Sequence, residues 1–453
     1  MSGPQIFRVP LSLVEGRLDP LYYFSVNNLA LTKKTKYPVK RLADVIDMQR
    51  GRFGHRPRND PRFYDGAYPF IQTGDVVQAS STDGKISYSQ TLNELGLKTS
   101  RLFDKPVVVL TIAANIGDTA ILDYPACFPD SLIGMSPKSA EISLEYINLY
   151  FKFIKEYLNN LAPQSAQKNI NYQQLAPVPI VVPPIHVQKV TTEIYKNALK
   201  QKAENDQQAQ ALLAGIDVVL YQHLGIESLS TQVDILSQRV FKMPLSKLDG
   251  RFDPYANQPK LSHWLQTVKQ GRYAYSPLRN LVQFKKEVVD SIPGDMRYVG
   301  LENINGLDGS FLETNEKTEV SSALVFEMGN ILFPKLRPNL NKTYLTQAKG
   351  VCSTEFHVLK ATKISSQYLL AYMRSANVVA ALSQLVTGNT LPRLQTEDVL
   401  KLPVITPPID VQEAIVSQVS SIHTQVQSLR QKAKASMYQA KQQVEEIILG
   451  NSV

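Results

Sequence analysis

The chain has 453 residues, 43% of them hydrophobic and 20% charged. That is globular composition with length for two or three cored domains, and it excludes a disordered chain, a collagen and a small disulfide scaffold. Lys and Arg number 49 against 40 Asp and Glu, and the net charge of +9 favours a polyanionic partner.

The first residues lack the charged-then-apolar plan of a signal peptide, and no run approaches the roughly 18 apolar residues of a membrane span. The expected setting is the cytoplasm, with no membrane partner. Two cysteines, Cys127 and Cys352, neither staple a fold of this size nor supply a multi-cysteine metal site.

In chain order, the first element is a lead-in, FRVPLSLVEGRLDP over residues 7–20, which returns as FKMPLSKLDGRFDP over residues 241–254. The chain is written twice. After the first lead-in, residues 49–58 pack four arginines, Arg50, Arg52, Arg56 and Arg58, with glycines, a histidine and a phenylalanine. Arginine forks reach guanine edges or phosphates and glycine permits close backbone approach, so this loop is a candidate DNA contact. The alternative is a solvated charged loop partnered by Asp60 and Asp65. Residues 69–76 run from an apolar strand into a polar turn at Gln72 and Thr73, either DNA contacts or plain turn chemistry.

Strand-like runs follow at Pro106 to Ile112 and, in the second half, at Ile331 to Leu336. The segment around Asn115 aligns with that around Asn339, and Cys127 falls near the counterpart of Cys352. The cysteines thus read as one buried apolar position copied twice, without a disulfide. The first half ends in LAPVPIVVPPIHVQ, echoed by VLKLPVITPPIDVQ. Pro183-Pro184 and Pro407-Pro408 preset a first helical turn, so helices should begin at about Ile185 and Ile409.

The last helix carries Ile415, Val419, Ile422, Val426, Leu429, Met437 and Val444 at steps of three and four, a coiled-coil seam. The earlier one offers Val187, Val190, Ile194, Leu212, Ile216 and Val219. Each extends for about 40 residues, or about 60 Å, and needs a partner for its apolar stripe. The economical partner is the other helix, paired antiparallel.

In the second half the basic positions are Lys285 and Lys286, then Lys335, Arg337 and Asn339. The frame around them repeats while their types differ from the first half, as two readers of different sequences would require and as drift in loops would also produce. Turn signals stand at Asn305-Gly306 and Asp308-Gly309.

No P-loop, dinucleotide fingerprint, zinc-protease, C-x-x-C or nucleophile-elbow motif is present, and the D/N-P-P-Y/F tetrapeptide of amino-methyltransferases is missing. The six histidines stand at no metal spacing. Three readings remain open: a DNA-binding subunit, an enzyme with divergent motifs, and a scaffold whose twin domains bind protein or RNA.

The lead-in G-R-x-D-P, the T-G-D-V segment (Thr73 to Val76), I-G-x-T-A-I (Ile116 to Ile121), T-G-N-T-L-P-R-L (Thr387 to Leu394) and the paired P-P-x-x-V-Q helix starts together resemble the specificity (S) subunit of type I restriction-modification enzymes. The resemblance covers nearly the whole chain. It implies an α+β fold of two similar mixed α/β target-recognition domains separated by two long antiparallel coiled-coil helices. The expected boundaries are 1–182 and 226–406 for the domains, 183–225 and 407–453 for the helices.

The resemblance further implies a chain with no catalytic or metal site and no bound cofactor. Each domain would read half of a bipartite site in double-stranded DNA, and helix length would set the gap. Two modification (M) subunits would use S-adenosylmethionine to methylate adenine at N6, and restriction (R) subunits ATP and Mg2+ to translocate and cut. Arg393 and its first-half counterpart Lys168 join the candidate DNA contacts. The first-half version of T-G-N-T-L-P-R-L departs from the pattern by losing its glycine.

Overall fold

A computed structural model describes residues 29–54, 59–82, 84–162, 169–228, 259–290, 296–314, 322–386 and 392–451, with a few isolated positions besides. The two lead-ins, Arg56, Arg58, Lys168 and residues 387–391 lie outside the described residues. The chain divides into two compact units, one of residues 1–206 and 430–453, the other of residues 207–429, so the division falls inside the long helices.

In the first unit β1 (Val39–Arg41) pairs antiparallel with β10 (Pro179–Val181). Four strands, β2 (Ile46–Arg50), β6 (Val107–Thr111), β7 (Thr119–Leu122) and β9 (Leu132–Pro137), form an antiparallel sheet in the order β2-β9-β6-β7. A third sheet takes the order β4-β3-β8-β5, with β3 (Tyr64–Phe70), β4 (Gln90–Leu92), β5 (Leu102–Phe103) and β8 (Ala126–Cys127). Strand β6 is buried throughout because both faces of its sheet are covered. Alternation sends Val108 and Leu110 to one core, with Tyr146, Ile147, Tyr150 and Leu158, and Val107 and Val109 to another, with Ala120, Phe128 and Leu132. Among the described residues before the long helix, the helices of seven or more residues are α1 (Thr73–Ser81), α2 (Leu144–Phe153) and α3 (Lys155–Leu161).

The second unit repeats this frame. Strand β11 (Tyr275–Pro277) pairs antiparallel with β20 (Pro403–Ile405), and β12 (Val282–Lys285), β16 (Ile331–Pro334), β17 (Tyr344–Leu345) and β19 (Phe356–Ala361) form the sheet β12-β19-β16-β17. Its third sheet is β13-β15-β18-β14, from β13 (Val288–Val289), β14 (Arg297–Val299), β15 (Ala323–Phe326) and β18 (Gly350–Cys352). Cys127 and Cys352 occupy the same place: each faces one parallel partner, Phe70 or Val299, and one antiparallel partner, Leu102 or Leu324. Both are buried free thiols, and burial pushes Cys352 up to about 12.

The two long helices run over Ile185–Leu224 and Ile409–Leu449, starting where the proline pairs place them; the first is α4 and the second α8, with α5 (Pro259–Gln270), α6 (Ser366–Arg374) and α7 (Ala376–Gln384) between. In the first unit Tyr195 of α4 shares a core with Val444 and Ile448 of α8, and Ser436 Oγ donates to Gln201 Oε1 at 2.8 Å. In the second, Leu220, Tyr221 and Leu224 pack with Ile415 and Val419. Start meets end, so the pair is antiparallel.

Ile415, Val419, Ile422, Val426, Leu429, Met437 and Val444 are all buried or half-buried, as are Val187, Ile194, Leu212, Ile216 and Val219. Val190 is a correction, being 41% exposed while Thr191 is fully buried. The Thr191 hydroxyl can lie inside because it donates to the carbonyls of Val187 (3.1 Å) and Gln188 (2.8 Å).

Each long helix is clasped to its unit by the glutamine of P-P-x-x-V-Q. Gln188 Nε2 donates to the carbonyls of Pro183 and Glu141, both at 2.8 Å, while Oε1 accepts from the backbone N–H of Ser143 at 2.9 Å. Gln412 Nε2 donates to Pro407 O at 2.9 Å and its Oε1 accepts from Ser365 N–H at 3.0 Å. Ser143 and Ser365 are the N-caps of α2 and α6. Two tyrosines one turn apart complete each clasp: Tyr146 and Tyr150 donate to Val181 O and Pro179 O, both at 3.0 Å, and Tyr368 and Tyr372 to Ile405 O (2.8 Å) and Pro403 O (2.9 Å).

Candidate nucleic-acid interface

In the first unit the candidate residues gather where β2 ends and β9 begins. Arg50, exposed and opposite Ile133 in the ladder, donates from Nε to Asp130 O at 2.6 Å. The strand continues as an ordered crossing, since Gly51 N–H donates to Leu132 O (2.9 Å) and Arg52 N–H to Phe128 O (3.0 Å). Gly51 is required here: a Cβ would stand 2.4 Å from the Phe128 and Pro129 carbonyls. The Arg52 carbonyl accepts from Ser100 Oγ (2.6 Å) and the Arg50 carbonyl from Arg101 Nη1 (2.5 Å). The backbone is thereby fixed, and Arg52 is exposed.

Beside this crossing stands the start of α1. The expected polar turn at Thr73 is instead the first turn of a helix, because Asp75 accepts the Gln72 N–H at 2.8 Å and ties the entering chain to the third helical position. Thr73 Oγ1 and Ser131 Oγ lie 3.1 Å apart, and Gln72 Nε2 donates to Gln90 Oε1 at 2.8 Å. Arg50, Thr73 and Gln72 thus stand with three residues that sequence reasoning did not single out: Ser131, Gln90 and Arg101. Their positions follow from pairing between distant segments.

A cavity of about 590 Å³ opens next to them, walled by Phe53, Tyr64 and Phe70 and edged by Gln72, Ser89, Gln90 and Thr91. Asp65 on its rim has a left-handed backbone, φ 60°.

The second unit uses the same corner of its frame. Lys285 stands opposite Val358, where the first unit has Gln49 opposite Gly134, and Lys286 follows, exposed, in the place of Arg50. Lys335, just after β16, donates from Nζ to Thr354 O at 2.7 Å, and burial lowers its pKa. Leu336 bridges Arg393, whose guanidinium grips Glu355 at 2.7 and 3.1 Å. That grip, with burial opposing, lowers the Glu355 carboxyl. In the first unit the matching bridge joins Ala113 and Asn169.

Arg337 adopts a left-handed conformation, φ 49°, as does its counterpart Ala114, φ 61°. Arg337 leads the short turn Pro338–Leu340 that exposes Asn339. Under this corner lies His357, 5% exposed, pushed down to about 4 by burial and by Lys335 and Lys286. Lys285, Lys286, Lys335, Arg337 and Arg393 therefore come together, with Asn339 on the adjoining turn.

Among the described residues no three or more His, Cys, Asp or Glu stand together to hold a metal, and no helix is long and apolar enough to cross a membrane.

The type I restriction modification DNA specificity domain family matches residues 34–213. The EcoDI type I restriction enzyme specificity subunit of Escherichia coli is 26% identical over 122 residues, 27% of this chain and 27% of that relative, so the match spans about a quarter of either protein. Solved structures also match. The type I S subunit from M. genitalium, at 11% identity and TM-score 0.45, is covered over 92% of this chain and 96% of that one. A chain from a study of type I restriction-modification complex assembly has 12% identity, TM-score 0.49 and coverage of 91% and 96%. The HsdS subunit from Thermoanaerobacter tengcongensis has 12% identity, TM-score 0.36 and coverage of 92% and 97%. The family match is confined to residues 34–213, which are similar to the type I restriction modification DNA specificity domain. The resemblance read from the sequence stands with it.

Proposed function

We propose that the chain is the sequence-recognition subunit of a type I restriction-modification complex, each unit reading one half of a bipartite site in duplex DNA. The observation that carries this reading is the repeated corner: Arg50 and Arg52 in one unit, and Lys285, Lys286, Lys335, Arg337 and Arg393 in the other, stand at matching ends of a duplicated frame. Lysine and arginine there supply phosphate affinity, while arginine forks and the Gln72, Gln90 and Asn339 amides suit base edges. The long helices join the readers and set the gap between half-sites. On this reading the chain performs no chemistry of its own. M subunits bring S-adenosylmethionine for N6-adenine methylation, R subunits bring ATP and Mg2+, and exposed faces of α4 and α8 receive the M subunits.

Long-read mapping of N6-methyladenine in host DNA with and without the gene tests this. The expected result is a two-part motif with a fixed gap that loses methylation in the deletion. Identical maps, together with failure of the purified chain to bind a candidate M subunit, would overturn it. Removing one heptad from both helices should shorten the gap by roughly 10 Å, or about three base pairs.

A further inference from the structure

We infer that Lys152 and Arg374 are positioning residues: each fixes the segment inserted between the two partners of the cysteine strand, and so sets where the reading residues of its unit stand. The inference rests on the DNA-reading proposal and deepens it.

Both inserts open with a capping bond, Gln72 N–H to Asp75 and Gly300 N–H to Asn303, each at 2.8 Å, but the described elements that follow differ. Between β3 and β5 lie α1, β4 and a short helix, Glu94–Thr99, whereas between β14 and β15 lie a short 3-10 turn, Leu301–Asn303, and a tight turn closed by Gly309 N–H to Asn305 O at 2.8 Å. Yet a cation reaches both from the same place, nine residues after the capping serines Ser143 and Ser365.

Lys152 Nζ donates to Thr119 O of β7 (3.2 Å) and to Ser80 O (3.2 Å) and Oγ (3.1 Å) of α1. Arg374 donates from Nη1 to Asn341 O (2.6 Å) and Thr343 O (3.0 Å), just before β17, and from Nη2 to Gly306 O (2.9 Å) of the insert. Each cation thus joins a carbonyl of the frame to a carbonyl of the insert. Carbonyls are fixed to the backbone, so such bonds set position more than they neutralise charge. The residue type follows the acceptors: Ser80 presents two oxygens to one ammonium, whereas acceptors on three separate residues need the guanidinium fork.

The reading residues hang on these points. Ser80 closes the far end of the helix that begins at Gln72-Thr73, and a cation suits that C-terminal end. In the second unit Asn341 Nδ2 donates back to Arg374 O at 2.9 Å, holding the turn that carries Arg337 and Asn339. Gly309, at φ 74°, closes against the guanidinium, since a Cβ there would stand 2.9 Å from Nη1.

The test uses the full chain and duplexes bearing the mapped target, with each half-site substituted base by base, together with hydrogen exchange. Arg374→Met should lower discrimination at the second half-site, and speed exchange over 305–312 and 339–343, by about tenfold each. First-half discrimination and exchange over 73–81 should change less than about twofold, and Lys152→Met should give the mirror image. Arg374→Lys, which keeps charge but not the fork, should fall between and serves if the methionine variant does not fold. Unchanged exchange in the insert, quickening across the whole unit, or equal loss at both half-sites would overturn the inference. A wild-type chain that distinguishes no half-site would instead sink the DNA reading, and the exchange pattern would still decide whether the cations position the inserts.

Discussion

In the first unit the cysteine sheet gains its extra strand beside the parallel partner, β4 on β3; in the second, the extra strand β13 joins the antiparallel partner β15, at the opposite edge. Only a few residues away the same two units agree in detail. Serine caps, paired tyrosines and the glutamine of each long helix repeat with the same acceptors. The agreement lies where buried polar groups must find partners, which leaves few solutions. The divergence lies where strands end in solvent and one more strand can be added to either free edge. A duplicated frame of this kind permits two different reading surfaces without altering how each unit holds its helix.

The comparison can be broken first at the clasp. Gln188→Ala removes three hydrogen bonds and Gln412→Ala two. Each should destabilise its own unit by roughly 2–4 kcal/mol, the first unit more, as read by denaturant unfolding with probes in each unit. Equal small effects at both would mean that the glutamines are incidental.

A second asymmetry is titratable. His357, lowered to about 4 in the fold, takes the place that Ile133 holds in the first unit. A histidine depressed below its unfolded value of about 6.5 binds fewer protons folded than unfolded, so stability is complete above that pH and falls as pH drops toward 4. The second unit should lose up to about 3 kcal/mol over that window, and His357→Leu should abolish the dependence. A second unit whose unfolding ignores pH there would remove the distinction.

Next in size is the first corner. Arg52→Ala should weaken recognition of the first half-site by roughly tenfold to a hundredfold and leave the second intact, measured by binding to duplexes altered in one half at a time. Equal loss at both halves would contradict separate readers.

What could be read without the fold was what repeats locally. The proline pairs placed both helix starts, the steps of three and four placed the α8 seam, and the cysteines marked one position twice. What could not be read depended on partners far along the chain. Tyr146 and Tyr150 look like ordinary core residues at helical spacing, and only the strand 30 or so residues later shows that their hydroxyls bind carbonyls. Thr73 resembled a turn because its helix is short and mostly polar, with Asp75 supplying the stabilising bond. Val190 fitted the helical period, but the seam runs through Thr191, whose hydroxyl is satisfied within its own helix. The proposed reading corners were legible as charge, while Ser131 and Gln90 in one and Glu355 in the other were not.

The smallest expected effect concerns Glu355, whose carboxylate holds Arg393, whereas Arg50 of the first corner donates to the backbone carbonyl of Asp130. On the proposed reading, a carboxylate gripping Arg393 keeps it from any phosphate that fails to displace it, trading affinity for selectivity. Such a half-exposed pair contributes little to folding, so Glu355→Gln should leave the thermal midpoint unchanged. Binding to non-cognate duplex should instead tighten, with the slope of log affinity against log salt steeper by about one, the signature of one added phosphate contact. An unchanged slope would place Arg393 away from the DNA backbone, and the pair would then serve only to hold residues 392–394 against Lys335, to which Leu394 N–H donates at 2.9 Å.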